Sequence, residues 1–270
     1  MTSGYTDFHN HLIPGVDDGA RDAEFSAGAL AAMRRDGVSQ LIATPHFDGS
    51  LTRDPERLSA RLAELDAGWT ILRGVVDADA AQHTSAIRAE RGVELMLDIP
   101  DPVLDDDRLR LAGTRFVLVE FPGLQLPPLN AGMAIGFIRR AGWQPVVAHP
   151  ERYRNLDSVA SLGELSRAGA LFQVNAGSLL GHYGSTAQSR AREILAHGIA
   201  SFVCSDYHAR GEPATGPFAR ALAQAGFGEH VKLLLEVNPG RLLNDEAPLP
   251  VPPIAVRENA VSWWKKLIRR

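Results

Sequence analysis

Short apolar runs alternate with amphipathic stretches along most of this chain, and no other feature restricts its fold as much. Short continuous apolar runs followed by period-3.6 segments are what βα units leave in a sequence, and such units assemble around a parallel sheet. Asp22 to Asp36 is amphipathic, Gly37 falls where a helix C-cap is expected, and Val38 to Thr44 then reads as a strand. Further strands are predicted at Phe116–Phe121, Pro145–Ala148, Leu171–Asn175 and Ala200–Ser205. Helical patterns around Leu129–Ala141, Ser158–Ala168, Thr186–His197 and Pro217–Gly226 fall between and after them. Pro55 to Asp98 reads as a helix and then a strand near Val93–Leu97, with Trp69–Val76 compatible with either type.

A chain of 270 residues, 45% hydrophobic and 22% charged, can bury one large α/β domain or two small ones. Its net charge of −4 gives no overall field that recruits nucleic acid, so an anionic ligand must be attracted locally. The single cysteine, Cys204, leaves no internal disulfide and fits a reducing compartment. Met1 to Asp7 lacks the basic and apolar parts of a signal peptide, and no apolar run approaches the roughly 18 residues of a membrane span. A cytoplasmic protein is expected. After Ala247 the composition changes: Pro248, Pro250, Pro252 and Pro253 break any helix, and Trp263–Arg270 combines two indoles with four cations. The expected division is a domain over residues 1–247 and a Pro-rich linker with a basic, aromatic tail over 248–270. Such a tail suits an anionic membrane surface or an acidic partner; equally, it suits a helix packed on the domain or on a neighbouring subunit.

Metal-ligand side chains recur at the predicted strand ends, where parallel α/β folds gather their chemistry. His9 and His11 follow the first strand, and as i and i+2 residues they could grip one ion. His46 follows the second strand, Glu94 lies in the third, Glu120 and His149 end the next two, and Asp206 and His208 follow Phe202–Ser205. Imidazole and carboxylate together suit Zn, Mn or Fe, and the absence of cysteine ligands argues against a closed structural zinc site.

The segment His9-Asn10-His11-Leu12-Ile13-Pro14-Gly15-Val16-Asp17-Asp18-Gly19-Ala20 resembles the polymerase-and-histidinol-phosphatase (PHP) superfamily, in particular its bacterial manganese-dependent tyrosine phosphatases of capsule and exopolysaccharide operons. Ala43–His46, Val119–Pro122, His149–Tyr153, Asn175–Leu179 and Ser205–His208 match it in the same order, so the resemblance covers roughly residues 5–243. It implies an α/β fold, a distorted (β/α)7 TIM-like barrel, holding two or three divalent ions, with Mn favoured over Fe or Zn. By position, the implied ligands are His9, His11, His46, Glu94, Glu120, His149, Asp206 and His208; the Glu94 segment matches most loosely. Asp17 stands where some relatives carry a third N-terminal histidine, as either a ligand or a group that orients one. His83, His182, His197 and His230 match no motif position and are expected to be structural or at the surface.

The implied reaction is phosphotyrosine hydrolysis by a metal-activated hydroxide, the ions lowering the pKa of water and clamping the phosphoryl oxygens. Arg152, three residues after His149, is placed to fork onto phosphate; its alternative is an ion pair with Glu151 or another carboxylate. Asp206 and His208 join it as catalytic candidates. The implied substrate is a phosphotyrosine protein, a membrane-associated bacterial tyrosine kinase that controls polysaccharide export, with a homo-oligomer and peripheral contact at the inner membrane surface as further expectations. Competing readings are a histidinol-phosphate-type phosphomonoesterase, a phosphodiesterase, and a non-catalytic metal-binding regulator. Cys204 to Arg210 also satisfies the bare Cys-x5-Arg pattern of cysteine-dependent phosphatases. There, however, Asp206 would face the phosphate dianion, and no glycine eases the turn.

Overall fold

The computed structural model describes residues 4–127 and 130–254; the tail Trp263–Arg270 lies outside them. Among the described residues, nine strands run in chain order: β1 Tyr5–Asp7, β2 Val38–Ala43, β3 His46–Asp48, β4 Arg88–Arg91, β5 Glu94–Met96, β6 Phe116–Glu120, β7 Gln144–Ala148, β8 Leu171–Asn175 and β9 Phe202–Cys204. All pairings between them are parallel. They form a three-stranded sheet ordered β1-β2-β4 and a six-stranded sheet ordered β3-β5-β6-β7-β8-β9. The helices that position the site are α1 Ala23–Arg35, α2 Pro55–Gln82, α3 Ala131–Arg140, α4 Leu162–Arg167, α5 Ala176–Leu180, α6 Gly184–Ala196 and α7 Thr215–Gln224.

Local chemistry sets these bounds. The Asp22 side chain accepts from the Phe25 N–H to cap α1, and Asp54 does the same for Arg57 in α2, whose first residue is Pro55. Gly37, at φ 94°, turns the chain from α1 into β2. The open segment resolves into α2, 28 residues of unbroken helix that include Trp69–Val76. Its buried Leu62, Leu65, Gly68, Leu72 and Val76 recur at intervals of three and four, a helical stripe. The predicted strand near Val93 forms as β5, while β4 was not anticipated because only Ala89 of its four residues is buried.

Alternation along the six-stranded sheet decides which side chains face which layer. Val93, Leu95, Val117, Val119, Val147, Phe172 and Val174 pack with Ile135, Leu165 and Ile194 of the helices. The opposite face contributes Phe116, Leu118, Val146, Ala148, Phe202 and Cys204 to a second cluster, where they meet Ile42 of the three-stranded sheet and Phe8, which follows β1. His46, Glu94, Glu120, Gln173 and Asn175 share the parity of that second face. Backbone bonds also join the sheets: Asp206 N–H donates to the His9 carbonyl at 2.8 Å and His11 N–H to the Tyr207 carbonyl at 2.9 Å.

The last described helix ends at Leu243, capped at Asn244, before the prolines begin, and the segment read as a linker runs along the domain as far as it is described. Val251 and Ile254 are buried, and the Asn238 amide bonds both the N–H and the carbonyl of Leu249. No helix among the described residues is long and apolar enough to cross a membrane.

Candidate metal centre

The backbone of His9-Asn10-His11 is pinned on both sides. Asn10 forms a parallel bridge with Tyr207, its side chain donates to the Asp7 and Ile42 carbonyls at 3.1 Å, and its carbonyl accepts from the Thr44 N–H. Both imidazoles are thereby held at 0% exposure at the end of β1. Register completes the convergence: His46 pairs directly with Glu94, and Met96 with Glu120. His149 and Asp206 adopt left-handed backbone conformations, φ 33° and 52°, a strained state that tends to persist where the surroundings impose a functional geometry.

All eight ligand candidates are brought together, in three donor groups: His9/Glu94/His149/Asp206, His46/Glu94/Glu120 and His11/Asp18/His46/His208. Glu94 is at the centre. Its Oε1 lies 2.9 Å from His149 Nε2 and 3.3 Å from His9 Nε2, and its Oε2 lies 3.0 Å from His46 Nδ1 and 3.5 Å from His11 Nε2. Asp206 Oδ1 lies 3.2 Å from His9 Nε2 and 3.5 Å from His11 Nε2.

Asp17 and Asp18 divide the roles that the sequence left to one residue. Asp17 Oδ2 accepts from His11 Nδ1 at 2.7 Å and from the backbone N–H of His46 at 3.2 Å, so it orients the His11 imidazole and anchors the backbone of His46. Asp18 Oδ1 instead reaches His208 Nε2 at 3.3 Å and His46 Nε2 at 3.4 Å, as a donor that the sequence reading did not identify. Gln173 and Asn175 were also missed as site residues. Gln173 Nε2 donates to Asn175 Oδ1 at 2.9 Å, which leaves its Oε1 to accept from His9 Nδ1 at 2.8 Å. Asn175 Nδ2 in turn donates to Asp206 Oδ2 at 2.7 Å. Partners of this kind fix the tautomer and leave Nε2 free as a ligand atom.

The donor set fits divalent ions. His9 Nε2, His11 Nε2, Glu94 Oε2 and Asp206 Oδ1 are buried with no hydrogen-bond partner, although they lie close together. Buried polar atoms are rarely orphaned, and these share one missing partner, a cation. Ionisation gives the same indication. Burial alone would lower the histidines, yet Glu94 and Asp206 raise His9 to about 9, and Asp17 and Asp206 raise His11 to about 10. Burial and the charge of Glu94 push Glu120 up to about 7. Carboxylates this crowded call for compensating positive charge, and protons and metal ions compete to supply it.

At the mouth of the centre, a cavity of about 310 Å³ is bordered by Asp18, Arg152, Tyr183, Asp206, His208 and Arg210. Arg152 Nη1 donates to Asp206 Oδ2 at 2.5 Å. Its ion pair is therefore with Asp206, while Glu151 turns inward, accepts from the Asn175 N–H at 3.0 Å and is raised to about 7 by burial. Among the four unassigned histidines, His182 lines this cavity, whereas His83 and His197 bond carbonyls four residues back and His230 bonds the Pro252 carbonyl.

Cys204 belongs to the core. It is fully buried, and burial followed by the charge of Asp7 holds its thiol well above the usual range. Arg210 points outward toward Asp18 with its side chain 79% exposed. The pair forms no phosphate loop, and Cys204→Ala is expected to keep kcat/KM within about twofold, native protein resisting iodoacetamide because only a thiolate reacts.

The chain matches the family described as capsular polysaccharide synthesis, CpsB/CapC, over residues 5–244. It is 27% identical over 256 residues to the tyrosine-protein phosphatase YwqE of Bacillus subtilis, covering 93% of this chain and 96% of that one. It is also 27% identical over 208 residues to the tyrosine-protein phosphatase CpsB of Streptococcus pneumoniae, covering 75% and 82%. A solved structure from work on these two proteins, described as unique metal-dependent tyrosine phosphatases, superimposes with a TM-score of 0.72 at 26% identity, covering 93% of this chain and 99% of that one. With the match extending over most of its length, the chain belongs to the CpsB/CapC family of capsular polysaccharide synthesis.

Proposed function

We propose that the chain is a metal-dependent protein tyrosine phosphatase, and that the two sheets act as one distorted barrel of seven staves, β2 continuing into β3 and β4 into β5 after two-residue breaks, with the ions at the strand ends. One observation carries the chemistry: three adjoining donor groups, two of them sharing Glu94 and two sharing His46, lie beside a cavity bordered by Arg152. The proposed ligands are His9, His11, His46, Glu94, Glu120, His149, Asp206 and His208, with Asp18 added and Asp17 as the orienter of His11. A donor set of imidazole and carboxylate without thiolate suits Mn, Fe or Zn, and the family resemblance favours Mn. When bound, the ions supply a nucleophilic water near neutral pH and polarise the phosphoryl oxygens.

The chain's own residues do the rest. Arg152 binds the phosphate oxygens, Asn175 and Arg152 hold Asp206 in place, and Gln173 and Asp17 present the Nε2 atoms of His9 and His11. A phenol has a pKa of about 10, so the aryl leaving group departs with little acid assistance and no dedicated general acid is required. We assign the phosphatase domain to residues 1–247, extended along its surface by the packed residues 248–254. The kinase substrate, the cytoplasmic location, homo-oligomer formation and peripheral membrane contact through the tail belong to the same reading; family membership and the charge pattern of Trp263–Arg270 support it.

Turnover of a phosphotyrosine peptide compared with histidinol phosphate tests the assignment. The peptide is expected to be favoured in kcat/KM by about tenfold or more, the difference of one well-placed recognition contact. Preference for histidinol phosphate would transfer the site to a small-molecule phosphatase.

A further inference from the structure

Tyr183 borders the same cavity, and the chemistry above makes no use of it. The residue precedes α6, and its ring lies beneath the Arg152 guanidinium, with Cζ 4.5 Å from the ring centroid. Room for the ring comes from Gly177, where a Cβ would meet Tyr183 Cε2 at 3.0 Å, inside ordinary van der Waals contact. Among the described residues, only Nη1 of the Arg152 guanidinium has a hydrogen-bond partner, Asp206. The group is therefore fixed at one corner and over one face, while its other donors stay uncommitted.

An arginine anchored only at a corner would sample many rotamers, and freezing them when phosphate arrives would weaken binding. A ring under the guanidinium plane restricts that motion beforehand, and it consumes no N–H in doing so. Resting on the phosphatase reading, we infer that Tyr183 is a positioning residue whose ring holds the Arg152 guanidinium ready to receive the oxygens of a phosphate monoester. The π face performs this task, and the hydroxyl is dispensable.

The test measures binding of inorganic phosphate to the metal-loaded protein by titration calorimetry, together with phosphotyrosine-peptide kinetics. Tyr183→Leu and Tyr183→Phe are each made in the native and Arg152→Ala backgrounds. Tyr183 is 40% exposed, so truncation leaves the core intact. Tyr183→Leu is expected to weaken phosphate binding about tenfold and to raise KM similarly, with kcat little changed, whereas Tyr183→Phe stays within about twofold of wild type. In the Arg152→Ala background, the leucine substitution should have no further effect. Equal losses from Phe and Leu, or a leucine effect undiminished without Arg152, would overturn the inference. Protein that binds phosphate in this pattern but hydrolyses no aryl phosphate retains the inference and refutes the phosphatase reading. Active protein whose phosphate affinity ignores Tyr183→Leu does the reverse.

Discussion

Replacing Glu94 with glutamine is expected to lower kcat on a phosphotyrosine peptide by about a thousandfold or more and to strip bound metal from the protein. The substitution keeps the side-chain volume, so its effect is electrostatic. Glu94 belongs to two of the three donor groups and meets four imidazoles through its two oxygens. An amide removes the negative charge and one acceptor oxygen, so the site can no longer balance several divalent ions. Burial would favour the neutral acid, yet the surrounding His9, His149 and His46 hold Glu94 well below the usual carboxylate range. The glutamine variant loses that stabilising charge pairing, so circular dichroism checks its fold while elemental analysis reports lost metal. Full metal content with activity within tenfold of wild type would remove Glu94 from the centre of the site.

Arg152→Lys is expected to lower kcat/KM about a hundredfold, chiefly through KM, at unchanged metal content. Lysine keeps the charge and loses the planar fork, and it cannot hold Asp206 and two phosphate oxygens at once. The present partner of Arg152, Asp206 Oδ2, already accepts from Asn175, so its loss leaves that carboxylate partly supported. A variant that retains wild-type KM would show that phosphate is captured elsewhere, with Arg210 the nearest alternative on the cavity rim.

Much of this site was legible because parallel strands place their chemistry at predictable ends. Glu94 and Glu120 share a face with Leu118, and His149 and Asp206 follow strands that are continuous apolar runs, so the sequence located them without coordinates. The family resemblance then ordered them into one ligand set. What the sequence concealed was local backbone geometry. Asp17 and Asp18 are adjacent carboxylates, and only the turn closed by the Gly15 N–H to Ala20 carbonyl bond and the Ala20 N–H to His11 carbonyl bond decides which one orients His11 and which one faces His46.

Gln173 and Asn175 were opaque for another reason. An amide in a buried strand reads as a routine core polar group until both faces of the sheet are known. Trp69–Val76 matched both periods, and the helix prevailed through packing: a Cβ on Gly68 would meet Ile13 Cγ2 at 2.6 Å, so α2 lies directly on the segment that follows His11. The prolines after Ala247 keep the segment out of a helix that has already ended at Leu243, but they say nothing about burial, and Val251 and Ile254 still pack on the core.

The central claim is that bound divalent ions, held through Glu94, are the catalytic machinery. Its most direct test is to strip the purified protein with a chelator, remove the chelator, and measure phosphotyrosine-peptide hydrolysis before and after adding back Mn, with Cys204→Ala assayed in parallel. Activity should vanish on stripping, return with the metal, and be indifferent to the cysteine. Hydrolysis that survives complete removal of metal, or that disappears with Cys204, would contradict the account.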